Sequence, residues 1–98
     1  MKNDIYKDIK EYILLTLEIV ESKLDSESID YINHYINHDE YEMAFEGLFL
    51  EIMKLEEIPK IDFLKSKKIG ELLKLNEESI FDIDFWYKFK NYLEKIQQ

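Results

Sequence analysis

The chain has 98 residues, enough for one hydrophobic core and too few for a separate catalytic domain. Its 46% hydrophobic and 14% aromatic content excludes a disordered segment, and the absence of cysteine excludes disulfides, cysteinyl zinc sites and thiol catalysis. A formal net charge of −9 makes nucleic acid a poor partner.

The charge is local. Residues 25–57 hold ten acids and one lysine, Lys54, whereas acids and lysines nearly balance on either side. Such a field steers a basic partner. No apolar run approaches the roughly 20 residues of a membrane span. The charged start MKNDIYKDIK also lacks the apolar block of a signal peptide, so no membrane partner and a cytoplasmic location are expected.

Apolar spacing at three and four residues runs throughout, and two glycines and one proline leave little turn chemistry for hairpins. The pattern predicts an all-α fold, a compact bundle of about five helices forming a single domain over residues 1–98. The first helix is predicted from Asn3 or Asp4 to Leu24, with Asp4 in its first turn. Its inner stripe comprises Ile5, Ile9, Ile13, Leu17, Val20 and Leu24, widened by Tyr12 and Leu15. After DSES, Ser26 or Ser28 can cap a short second helix with Ile29, Ile32 and Ile36 inward and Tyr31 and Tyr35 flanking them.

Asp39, followed three residues later by Glu42, looks like a capping box that opens a third helix reaching about Glu56. Its core face is Tyr41, Ala44, Phe45, Leu48, Ile52 and Leu55. The remaining positions, Glu42, Met43, Glu46, Phe49, Leu50 and Met53, are unusually apolar. They form either a second buried side of a central helix or an exposed contact patch. Pro59 then breaks the chain before a fourth helix with Ile61, Leu64, Ile69 and Leu72 or Leu73 inward. Gly70 within it suggests a closely packed neighbour. A loop, NEESIFDID, precedes a last helix from about Asp84 to Ile96, capped by Asp82 or Asp84, with Phe85, Trp86, Phe89, Leu93 and Ile96 inward.

The stretch YINHYINHDEY places His34, His38 and Glu42 at helical spacing, the arrangement by which two imidazoles and a carboxylate hold zinc. A helix restart at Asp39 would turn Glu42 away, so no metal site is expected. Most acids read as solvated surface, and there is no nucleophile elbow or Gly-rich phosphate loop. The chain is therefore not expected to be an enzyme or to need a cofactor. Lys65, Lys67, Lys68 and Lys74 read as a solvated face.

The stretch IDYINHYINHDEYEMAFEGLFLEIMKLEEIPKIDFLKSKKIGELLKLNEESIFDIDFW resembles the MafI-type immunity proteins, small helical bacterial proteins that neutralise polymorphic or contact-dependent secreted toxins. The resemblance lies in His38, Glu40, Tyr41, Ala44, Glu46 and Leu48, the EIP at Glu57 to Pro59, the IGELLxL at Ile69 to Leu75, and Trp86. It extends from about Ser28 to Tyr92 and implies no catalytic residues. Its implied partner is the C-terminal domain of a cognate toxin, a basic RNase or DNase, in a 1:1 complex.

Charge and resemblance together predict a toxin-binding surface on the second and third helices. The acids Asp30, Asp39, Glu40, Glu42 and Glu46 would meet lysines and arginines, Tyr35, Phe49 or Met53 would supply apolar anchors, and His34 would be a further contact. An acidic helical adaptor or regulator of another basic protein is the alternative.

Overall fold

Among the described residues the amphipathic stretches become five α-helices: α1 (Lys2–Val20), α2 (Ser26–Asn37), α3 (Tyr41–Ile52), α4 (Phe63–Leu72) and α5 (Phe85–Ile96). This computed structural model describes residues 2–96, with side chains from Ile5 onward, so the side chain of Asp4 lies outside the described residues. The Cα radius of gyration, 12.6 Å, is that of one packed unit, roughly 13 Å being expected at this length.

α1 buries Ile9, Tyr12, Ile13, Thr16, Leu17 and Val20 and ends earlier than predicted, in a single 3₁₀ turn (Glu21–Lys23). Ile5 and Leu15, placed inward by the sequence pattern, are exposed because the buried stripe is narrower than the apolar one. α2 is capped by Asp25, not Ser26 or Ser28. The Asp25 carboxylate accepts the Ser28 N–H at 2.7 Å, which frees Ser28 to turn inward beside Ile32 and Ile36, while Ile29 is only half-buried.

α2 does stop before α3 begins, but Asp39 is not a cap for α3. It takes the left-handed conformation (φ 58°) in a Schellman ending: its N–H donates to the Ile36 carbonyl at 3.1 Å, and the Glu40 N–H donates to that of Tyr35 at 2.9 Å. Aspartate tolerates this region because its short side chain bonds locally; here the carboxylate accepts from the Tyr41 hydroxyl at 2.9 Å. α4 ends the same way at Lys74 (φ 62°), which turns Leu75 into the core.

α3 is enclosed on both sides. Tyr41, Ala44, Phe45, Leu48 and Ile52 are buried on the predicted face, and Glu46, Gly47 and Phe49 are buried on the other. The helix is therefore central. It ends at Ile52, leaving Leu55 half-buried in the segment beyond it. α5 lays Phe85, Phe89 and Leu93 across it, and Phe89 meets Phe45 and Phe49 edge-on, with ring centroids 5.8 and 5.2 Å away. Trp86 and Ile96 are only half-buried.

α4 faces inward through Ser66, Ile69 and Gly70, continuing to Leu73; Leu64 and Leu72 point outward. A polar residue takes the inner position where Leu64 was expected because Ser66 is well satisfied. Its hydroxyl donates to the Asp62 carbonyl at 2.9 Å and is hydrogen-bonded to Tyr12. At Gly70 the close approach is real: an added Cβ would lie 2.7 Å from Trp86 Cζ3. Gly→Ala within a helix normally gains about 1 kcal/mol, whereas overpacking costs about 1–3 kcal/mol. Gly70→Ala is accordingly expected to lower the urea midpoint, and Gly70→Ala combined with Trp86→Leu to suffer less than the two single losses added together.

Candidate interaction surface

Helix periodicity places Glu27, Asp30 and His34 on the solvent side of α2, opposite Ser28, Ile32 and Ile36. The corner after α2 adds His38, Asp39 and Glu42, all exposed, with Glu40 half-buried. Nine of the ten acids in residues 25–57 lie outside the core.

The α2 side and its corner also carry a row of rings. His38 and His34 lie with ring centroids 4.3 Å apart, His34 meets Tyr35 at 5.5 Å, and Tyr35 meets Phe81 at 5.8 Å. His38 Nδ1 lies 2.8 Å from the His34 carbonyl oxygen, so that nitrogen donates. The row joins the corner to the loop before α5. Aromatic faces beside carboxylates are suited to receiving arginine or lysine side chains, the ring attracting the cation and the acid pairing with it. Among the described residues no three His, Cys, Asp or Glu side chains gather as a metal site.

Three predicted contact residues are not on this surface, two of them buried and the third, Met53, in a neighbouring groove. Glu46 and Phe49 are both fully buried. Phe49 packs on Phe45 at 4.6 Å and on Phe89, inside the aromatic core. The Glu46 carboxylate accepts three successive backbone N–H groups, from Ile80 (2.7 Å), Phe81 (2.9 Å) and Asp82 (2.8 Å). These amides stand in for the water that an exposed carboxylate would bind. A signal for this was present in the sequence. Of the four helical neighbours of Glu46 at three and four residues, Met43, Phe49 and Leu50 are apolar and only Glu42 is charged.

Gly47 lets α2 and α3 approach, because a Cβ there would lie 2.8 Å from Tyr31 Cε1. The Tyr31 hydroxyl donates to Glu51 Oε2 at 3.3 Å, with the Gly47 carbonyl at 3.4 Å. Burial first, and the Glu51 carboxylate second, push the Tyr31 phenol up to about 12. Tyr31, Tyr35, Gly47, Leu50 and Phe81 line a shallow groove of about 300 Å³ along this side.

Met53 belongs elsewhere. It lines a wider groove of about 620 Å³ between α3 and α5, together with Leu50, Lys88, Tyr92 and Lys95. The two acids there, Glu51 and Asp82, are each paired with a lysine, Lys54 at 3.3 Å and Lys88 at 2.7 Å. That groove lacks the uncompensated acid of the α2 side.

Compared with known proteins, the chain matches no family model, no curated protein and no solved structure. Among the described residues no helix is long and apolar enough to cross a membrane.

Removing one acceptor oxygen from Glu46 tests the loop anchor. Glu46→Gln leaves one or two of three inward N–H groups without an acceptor, at about 1–3 kcal/mol for each unsatisfied group. We expect a lower urea midpoint together with faster hydrogen exchange at the amides of Ile80, Phe81 and Asp82. For Tyr31, the raised value means that the fold favours the neutral phenol. Its contribution is complete below about pH 10 and is lost as pH rises toward about 12. The stability gap between the wild type and Tyr31→Phe, followed by urea unfolding, should therefore narrow between about pH 9 and 12.

Proposed function

We propose that this protein is an immunity protein that binds a basic secreted toxin of bacterial competition and blocks its active site with the acidic face formed by α2 and the α2–α3 corner. One observation carries the reading: nine of ten acids in residues 25–57 remain outside the core, and five of them, Glu27, Asp30, Asp39, Glu40 and Glu42, lie on α2 and the corner that also carry the ring row. A nuclease toxin is basic where it holds its polyanionic substrate, so a surface of carboxylates spaced along a helix competes for the same cations. The resemblance to MafI-type immunity proteins points the same way.

On this reading Asp30, Asp39, Glu40 and Glu42 meet the toxin's lysines and arginines, and His34 and Tyr35 offer their rings between them. Glu46 and Phe49 act from within, by holding the scaffold. Met53 lies on the neighbouring groove and takes no part. The complex is one to one, its formation accelerated by charge and its lifetime set by the groups that lose water.

The reading requires a secreted protein in the adjoining reading frame, and the C-terminal domain of that protein is the partner to use. Asp30→Lys with Glu42→Lys, both at exposed positions, should leave the melting temperature nearly unchanged. The same pair should weaken binding by at least tenfold in low-salt calorimetry, and by less as salt is added. A metabolic neighbourhood with no such domain, or unchanged affinity at low salt, would overturn the proposal.

A further inference from the structure

Leu73 and Leu75 of the α4–α5 connection join the core, but residues 79–84 beyond them contribute little to it and are held through their backbone. Of its apolar residues Ile80 is 44% exposed, Phe81 46% and Ile83 93%. Hydrophobic side chains displayed this openly, Ile83 above all, bring little burial energy to compensate for the entropy of ordering the loop. Its backbone is fixed all the same. Besides the three N–H bonds to Glu46, the Ser79 hydroxyl donates to the Asp82 carbonyl at 2.6 Å, and the Asp84 N–H donates to the Asp82 carboxylate at 2.9 Å. A fully buried carboxylate is an expensive way to secure a mere connection.

We infer that Phe81 and Ile83, held out by Glu46, form the apolar anchor of a docking surface for a basic protein, set at the end of the ring row on α2. The inference rests on the immunity reading and names the part of the partner that the loop would enter: an apolar recess rimmed by lysine or arginine. Phe81 against Tyr35 makes the loop continuous with the acidic face. Glu77, Glu78 and Asp84, all exposed, flank the tip in the chain, and the nearby Lys88 is already engaged by Asp82 at 2.7 Å. A second copy of this chain would meet acid with acid, and nucleic acid would meet it with phosphate. Preorganisation makes such a tip effective, since an anchor already fixed in its bound conformation loses little freedom on docking.

Ile83→Ser and Phe81→Ala test the anchor in the full chain against the toxin domain of the adjoining gene, with Leu64→Ser as the control. Leu64 is 74% exposed on α4. Ile83→Ser should raise Kd at least tenfold, mainly through faster dissociation, and leave the melting temperature unchanged; Phe81→Ala should act in the same direction, and Leu64→Ser should bind like the wild type. If both loop variants bind within twofold of the wild type while Asp30→Lys with Glu42→Lys binds poorly, the anchor is wrong and the immunity reading stands. If all three exposed apolar variants weaken binding equally, the loop has no special part. Should the wild-type chain form no complex with that domain, both proposals fall together.

Discussion

A carboxylate inside a helical bundle must find donors, and the donors nearest to Glu46 are the amides of a chain segment 34 to 36 residues further on. That requirement organises much of the molecule. It brings the α4–α5 connection against the middle of α3, which in turn sets where α5 begins and which of its faces meets α3. The aromatic packing of Phe85 and Phe89 on Phe45 and Phe49 then follows from the same placement.

Enclosing α3 has a cost in charge that the surrounding helices absorb. Once the central helix is covered by α1, α2 and α5, its own acids have few exits: Glu42 leaves at the first turn, Glu51 is half-buried at the last, and Glu46 stays inside. The outward negative charge of this region lies mainly on α2 and on the corner. Meanwhile the lysines of α5 and Lys54 balance the acids of the wider groove. Two concavities that share Leu50 thus differ in electrostatic character.

The helices were legible because each carries an apolar repeat at three and four residues, and the close contact at Gly70 was legible because glycine is otherwise costly inside a helix. The helix break near His38 could also be read, though not its chemistry, since aspartate serves both as a helix cap and as a left-handed terminator. Stripe edges were the weak point. Ile5, Leu15 and Leu64 carry the right residue type at positions that neighbouring helices do not reach, while Ser66 carries the wrong type where a hydroxyl network favours it. For the surface, the acids of α2 and the corner could be seen in the sequence. Glu46 could not be separated from them by composition, only by its apolar helical neighbours. Phe81 and Ile83 were passed over because a segment read as a loop invites no question about what its side chains face.

What Glu46 holds in the loop is main-chain amides alone. Glu46 takes no notice of which side chains stand at positions 80, 81 and 82, provided that none is proline, which would remove a donor. The exposed positions 80, 81 and 83 can therefore be rewritten while the backbone that presents them stays in place. A chain built this way separates the freedom to change what it recognises from the need to keep its fold, and one glutamate inside α3 is where the two are joined.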